Sequence, residues 1–398
     1  MDTTNTTARR PRDRKSQLAT VAAELFRARG YHGVGINDIA AAAGVTGPAL
    51  YRHFADKQAV LAHVLLAGID DMESVTRRAL ATPDVPAPQQ VNALLRHLAE
   101  QAVERRELTA LWRWEGRHLG PDHQREIVRR SASVLGDWSR TLRAVRPELG
   151  IAEAELLCWA GMSVFGSVSV HRTAIGRRRF VELLNDLARR VLHVTLPEPV
   201  ETVRPDLGIE LGEPSRRARV LAAATELFRQ HGFAAVSMED IGAAAGIAGP
   251  SVYRHFPSKA GLLTAICRRA ADRLAIGAEY ALRTSAPPDE RTALRRLAES
   301  YVHTLTASPE LAVSFSTDPA HISATAQAEL VRTQRDYVAQ WVRLLAAAHP
   351  DLTEREAKIS VHAALTVAND LARTRRVNVR PGLEGELVAL MTAALDVA

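Results

Sequence analysis

Gly44-Val45-Thr46-Gly47-Pro48-Ala49-Leu50-Tyr51-Arg52-His53-Phe54 occurs a second time as Gly246-Ile247-Ala248-Gly249-Pro250-Ser251-Val252-Tyr253-Arg254-His255-Phe256. The offset is 202 residues (253 − 51), and it holds without a gap from Arg14 and Arg216 to Leu61 and Leu263. Roughly half of the positions aligned in this way are identical, so the chain contains an internal duplication.

The chemistry of the stretch indicates its shape. Residues 36 to 43 read as a short helix with Ile39 inward and small alanines that allow close approach. Gly44 ends that helix, as glycine does where a left-handed backbone is needed. Pro48 sits at the start of the next helix, where a missing N–H is tolerated. Leu50 and Phe54 are four residues apart and share the inner face. Ala49, Arg52 and His53 then face outward, with Tyr51 at the margin. Two short helices joined by a glycine turn, the second showing small, basic and aromatic residues, suit entry into a major groove. Asp56 is placed to cap the following helix, and Lys57 is placed for a phosphate. Ser258 and Lys259 repeat the arrangement.

Phe26, Gly30, Ile39, Ala40, Gly44, Val45, Leu50, Tyr51, Phe54, Lys57 and Leu61 stand in an order and spacing that resembles the TetR/AcrR family of bacterial transcriptional regulators. Phe228, Gly232, Ile241, Gly246, Ile247, Val252, Tyr253, Phe256, Lys259 and Leu263 do so again. The resemblance implies an all-α chain of two tandem TetR-like units. Each unit has an N-terminal three-helix helix-turn-helix domain and a C-terminal helical domain for ligand and dimerisation. The expected division is 10–62 and 214–264 for the DNA-binding domains, 63–195 and 265–398 for the regulatory domains, and 196–213 for the linker. That linker carries four prolines and two glycines (196–214) without apolar periodicity, and some 18 residues reach about 60 Å when extended.

Composition agrees with a helical, DNA-binding chain. Its 398 residues are 46% hydrophobic and only 5% aromatic, with a net charge of +6. A basic balance fits a polyanionic partner. Cys158 and Cys267 lie far apart in apolar runs and read as buried reduced thiols rather than a disulfide or metal pair. The polar N-terminus carries no secretory signal, and the apolar run 156–170 is shorter than a bilayer span. The expected location is the cytoplasm, with no membrane contact. Phosphate-binding glycine loops and hydrolase or metalloprotease motifs are missing, so no enzyme, cofactor or metal is expected.

Helices are expected at 17–29, 57–80, 90–104, 106–117, 121–145, 152–173 and 178–194, and in the second copy at 216–231, 238–256 (the paired short helices), 259–283, 353–373 and 382–397. The later alignment runs at an offset of 203, as Trp138 and Trp341 show (341 − 138). In the TetR family the last two long helices form the dimer interface. The resemblance assigns that role to 152–194 and 353–397, making one chain a pseudo-dimer. A homodimer of chains with four heads is the alternative.

The expected DNA-contacting residues in copy one are Arg12 and Arg14 on a basic arm, then Thr46, Gly47, Pro48, Ala49, Tyr51, Arg52, His53 and Lys57. In copy two they are Arg216, Ala248, Gly249, Pro250, Ser251, Tyr253, Arg254, His255 and Lys259. Thr46 faces Ala248 and Ala49 faces Ser251 in the alignment, so the two heads are expected to grip backbone alike and read different half-sites. A ligand set is expected in copy one. The run Leu111 to Leu119 resembles actinobacterial TetR-like regulators of lipid and acyl-coenzyme A metabolism. Trp112, Glu115 and His118, spaced three apart, would line a cavity wall, Arg117 would meet an anionic group, and His171 would lie nearby. Copy two lacks that polar set, and Pro319 would break its helix. The expected function is a transcriptional regulator, a repressor released from its double-stranded DNA operator by a small hydrophobic or acyl-type effector. The alternative is a sensor acting through protein partners with weak or lost DNA binding.

Overall fold

The chain is described by a computed structural model covering residues 11–81, 84–106, 111, 116–199, 214–283, 289–317, 319–374 and 376–397, apart from the side chains of 11–13, 27, 117, 249 and 319. Among the described residues every regular element is a helix. The chain forms two compact units, Met1–Leu192 and His193–Ala398.

The first unit contains α1 (Pro11–Arg29), α2 (Ile36–Ala42), α3 (Gly47–Tyr51), α4 (Lys57–Leu80) and α5 (Ala87–Glu104). A 3-10 turn (Gly116–His118) precedes α6 (Pro121–Val145), α7 (Ile151–Gly166) and α8 (Arg177–Leu192). The second unit repeats the order: α9 (Arg216–His231), α10 (Met238–Ala244), α11 (Gly249–His255), α12 (Lys259–Leu282), α13 (Glu290–Ala307) and α14 (Pro309–Ser316). The 3-10 turn Pro319–His321 then leads to α15 (Ala324–Ala348), α16 (Glu354–Arg373) and α17 (Leu383–Leu395).

Local chemistry accounts for most boundaries. The α4 and α12 helices both run 24 residues from a capping side chain. Asp56 accepts the Ala59 N–H at 2.7 Å, and Ser258 accepts that of Gly261 at 3.0 Å. The α1 helix begins at Pro11, six residues before the expected start, because proline suits the first helical turn. The expected helix 152–173 stops at Gly166, although its counterpart α16 continues to Arg373. Position 166 is glycine where copy two has Asn369. The Ser163 and Ser167 hydroxyls donate to the Trp159 and Val164 carbonyls at 3.0 and 2.7 Å. Glycine and back-bonding serines both weaken a helix end.

The two bodies differ inside. In the first, Trp138 donates to the buried Thr76 hydroxyl at 2.8 Å. In the second, Ala278 replaces that threonine, and the fully buried Trp341 lies among the rings of Tyr301 and Tyr337 at 6.1 and 6.3 Å. Tyr301 donates to Asn369 Oδ1 at 2.8 Å. Cys158 and Cys267 are free and buried, and burial pushes both thiols up, Cys158 to about 12. The stretch Ile151–Ser169 is apolar enough for a membrane span by composition, yet most of it is buried inside the protein.

The first residues of the expected linker are packed. A Cβ on Gly382 would stand 2.7 Å from Pro199 Cα, and one on Gly385 would stand 3.3 Å from Pro197. Gly382 also has φ +74°, so both backbone geometry and close approach require glycine there. Residues 200–213, the rest of that linker, lie outside the described residues, as does the tail 1–10.

Burial in the second body gives stability a pH dependence. His362 on α16 is depressed to about 4, first by burial and then by Lys358. The unfolded histidine binds its proton near its usual value of 6.5, so the unfolded state holds more protons between those two values. Stability is therefore full above that window and falls as pH drops through it, by at most about 1.4 kcal/mol per pH unit. Denaturation of wild type and His362→Gln across this range checks it, with the expected result that the variant loses the slope.

Candidate nucleic-acid interface

Each head is a small core with a glycine turn. Leu18, Ala22, Phe26, Ile39, Leu50 and Phe54 form the first core, and Val220, Ala224, Phe228, Ile241, Val252 and Phe256 form the second. Gly44 and Gly246 have φ +65° and +66°. The turns close alike: Val45 N–H reaches Ala40 O at 2.9 Å, and Ile247 N–H reaches Gly242 O at 2.9 Å. That closure is the expected left-handed helix stop. A Cβ on Gly47 would come within 3.0 Å of Asn37 Oδ1, so α2 and α3 cross closely at this point.

The outward face of α3 carries Thr46, Pro48, Tyr51 and Arg52, all exposed, with Gly47, Ala49 and His53 half-buried. On α11, Ala248, Pro250, Tyr253 and Arg254 are exposed, and Ser251 and His255 are half-buried. The surroundings of Gly249 lie outside the described residues. Both tyrosines are open to solvent, Tyr51 being 53% and Tyr253 46% exposed. Thr46 starts α3 without a side-chain capping bond. Arg14 and Arg216 are exposed at the starts of their first helices, while the Arg12 side chain is outside the described set. The neighbouring Lys15 and Arg217 lie over the Phe54 and Phe256 rings at 5.1 and 4.6 Å, holding those helices against the reading helices.

Lys57 and Lys259 have a different occupation from the one expected. Lys57 Nζ donates to the carbonyls of Tyr31 and Val34 at 2.8 Å each and lies 4.2 Å from the Tyr31 ring centroid. Lys259 Nζ donates to Phe233, Ala234 and Val236 at 2.8, 3.4 and 2.7 Å, with the Phe233 ring centroid 4.5 Å away. An ammonium has three N–H donors. Both lysines spend most of theirs fixing the turn between the first two helices to the start of the long helix.

Of the expected ligand residues, the side chains of His118 and His171 are described, and the two have separate neighbours. Trp112 and Glu115 lie outside the described residues, as does the Arg117 side chain. His118 instead stacks on Tyr31, with centroids 4.9 Å apart and planes 11° apart, and meets His32 edge-on. Its carbonyl accepts from Gln58 Nε2 at 2.8 Å. His321 repeats the contact on Phe233 at 4.4 Å. These rings join each head to its regulatory half. His171 has separate neighbours. Arg106 Nη2 lies 3.1 Å from His171 Nδ1 and donates to the His171 carbonyl at 2.6 Å. The same guanidinium reaches the carbonyls of Val168 and Thr173. Sequence reading missed Arg106, whose role depends on loop carbonyls more than 60 residues onward. An open polar groove of about 500 Å³ lies elsewhere, between α4 and α6, lined by residues including Glu73, Thr76, Arg77, Asp137 and Arg140.

The model for bacterial regulatory proteins of the tetR family matches twice, over residues 18–64 and 220–266. The chain is 45% identical over 75 residues to the HTH-type transcriptional activator FasR of Mycolicibacterium smegmatis, a match spanning 19% of this chain and 34% of that protein. It is 29% identical over 163 residues to the HTH-type transcriptional regulator EthR of the same species, spanning 39% of this chain and 69% of EthR. A solved bacterial regulatory protein in the tetR family from Rhodococcus RHA1 is 22% identical, with a TM-score of 0.41, over 45% of this chain and 96% of that one. The match to FasR thus spans only about a third of that relative's length.

Proposed function

We propose that the chain, whose two heads each match the tetR-family model, is a DNA-binding transcriptional regulator, and that one chain acts as a pseudo-dimer on an asymmetric operator. The observation that carries this reading is the pair of complete heads with non-identical outward faces. Tyr51 and Tyr253 are equally presented, and Arg52 and Arg254 accompany them. Arginine and tyrosine hold phosphates and base edges in a groove. Thr46 and Ala49 in one head, against Ala248 and Ser251 in the other, give the two faces different hydrogen bonds to offer. Arg12, Arg14 and Arg216 extend the grip along the backbone. Lys57 and Lys259 contribute through the turns they hold.

Seated across an operator, such a protein excludes polymerase, which makes repression the natural outcome. Release requires an effector that prefers the unbound conformation. The proposed effector is small and hydrophobic or acyl-type, such as an acyl-coenzyme A or lipid-like molecule, taken by the first regulatory half. Trp112, Glu115 and Arg117 are its proposed contacts. His118 and His171 serve at the edges of that region, one against the head and one beside Arg106. Titrating acyl-coenzyme A species against wild type and Arg117→Ala tests this, and equal affinities would remove the assignment.

The DNA reading is tested by selecting bound sequences from a random duplex pool at a fixed, stated salt concentration. Two unlike half-sites about one helical turn apart are the expected result. A symmetric palindrome would favour equivalent heads from two chains. No enrichment at low salt would remove DNA binding and leave a sensor that acts through protein partners.

A further inference from the structure

The open groove of about 500 Å³ in the first unit lies between the far halves of α4 and α6. Small-molecule sites occupy roughly 300–1,000 Å³, so its size suits one. Arg77 on its rim stands twenty residues past Lys57, about 30 Å along α4. Ser133 stands twelve residues past Pro121, about 18 Å along α6. The groove is therefore well removed from the turn Gly116–His118 and its joint with the head.

The groove holds unused hydrogen-bond donors. Thr76 and Val134, 3% and 4% exposed, form its floor. The Thr76 hydroxyl accepts the Trp138 indole N–H at 2.8 Å, and among the described residues its own proton has no acceptor. A buried donor left in this way calls for an acceptor. Two acids line the groove, and each is already held by an arginine. Glu73 receives two bonds from Arg130 at 2.7 Å each, and Asp137 is paired with Arg140. Arg77 is exposed and makes no hydrogen bond or ion pair among the described residues. Its field reaches Glu73, whose oxygens are taken. Leu80, Ala81 and Val134 add an apolar flank.

The second copy treats the same seam differently. Glu279 and Asp336 stand where the first copy has Arg77 and Ser133, at offsets of 202 and 203. Tyr337 and Leu344 replace Val134 and Thr141. Tyr337 packs its ring 6.3 Å from those of Tyr301 and Trp341, filling the space that valine leaves. The small floor residues and the cationic rim are thus features of copy one and not of the repeat.

We propose that this groove is a second small-molecule site, which binds a monocarboxylate with a compact apolar body. The Arg77 fork and the Thr76 hydroxyl donate to the carboxylate oxygens, and the body lies on Leu80 and Val134. Guanidinium and carboxylate match in shape as well as in charge. The open mouth suits a ligand that keeps one side in water. The site belongs to the first unit by itself and stands whether or not the chain reads DNA.

Three probes with one carbon skeleton and different head groups test it: phenylacetate, 2-phenylethanol and 2-phenylethylamine. Each is titrated into the full chain without DNA. Calorimetry gives the affinity, and the indole N–H resonance of Trp138, assigned with Trp138→Phe, reports the place. Phenylacetate is expected to bind about tenfold more tightly than the alcohol or the amine and to move that resonance. Arg77→Gln is expected to weaken it about fivefold or more. Ser133→Asp, which grafts the acid of copy two, is expected to do the same by repulsion. Both positions are exposed, so both variants are expected to keep the wild-type helical content and melting temperature. Arg117→Ala is expected to leave phenylacetate unchanged. Equal affinities for the three probes would overturn the proposal, as would full binding in Arg77→Gln and Ser133→Asp. So would the absence of heat and of any shift up to about 10 mM. A loss confined to Arg117→Ala would place the acid with the proposed effector contacts, overturning this site and supporting that one.

Discussion

Leu50→Ala in the full chain is expected to unfold the first head while leaving the rest of the protein folded. Leu50 is fully buried and packs with Phe26, Ile39 and Phe54. Truncating such a leucine costs about 2–5 kcal/mol, the upper part applying where the surroundings cannot collapse. A head of roughly fifty residues has little more than that to lose. The reading helix itself is only five residues long, so it has no stability apart from this core. Operator affinity at fixed salt is therefore expected to fall tenfold or more, by about 1.4 kcal/mol per decade. Val252→Ala at the equivalent position removes a smaller side chain and is expected to cost the second head less. Amide hydrogen exchange of residues 18–54, with gel-shift titration, measures both effects. Native protection together with native affinity in Leu50→Ala would contradict the packing argument.

The second large effect concerns the staples. Lys57→Met keeps the stem over Tyr31 but leaves the Tyr31 and Val34 carbonyls without their shared donor. Hydrogen bonds to a charged group contribute about 1.5–3 kcal/mol, and partial exposure places this pair at the lower end. The head is expected to lose about 2 kcal/mol on that basis. Lys259→Met strands three carbonyls and is expected to cost at least as much. Operator binding separates this role from a phosphate contact. A phosphate lysine weakens binding and reduces the salt slope by about one. A staple lowers the stability of the head and leaves the slope of the folded protein unchanged. A reduced slope with undiminished stability would return both lysines to the phosphates.

The sequence revealed the fold because its signals were local and stated twice. Gly44 and Gly246, the inward Leu50 and Val252, and the caps Asp56 and Ser258 each act within a few residues. The long helices followed with correct starts for the same reason. What it concealed was carried by tertiary carbonyls and distant rings. Nothing in the spacing of Lys57 indicates that Tyr31 and Val34, 26 and 23 residues upstream, present their carbonyls to it. Arg106 likewise depends on how the chain turns after α7. The spacing of His118 with Trp112 and Glu115 suggests a ligand wall and says nothing of its ring contact with Tyr31. A usable signal was present: the histidine persists as His321 while the residues before it diverge, and an aromatic persists as Tyr31 and Phe233. That pairing marks a joint between head and body. The early stop of α7 was hidden because the alignment with α16 outweighed one glycine and two serines.

The staple also has a mechanical meaning. A 24-residue helix is about 36 Å long, and its first residue is fastened to the turn of the head that precedes it. The head therefore does not swivel on the helix; the two form a rigid crank. A rotation of about 5° applied at the far end swings the reading face through about 3 Å over that arm, comparable to a hydrogen-bond length. Such a device converts small torques into loss of groove register without breaking a bond inside the head. Its gain is set by arm length, which is the same in both copies.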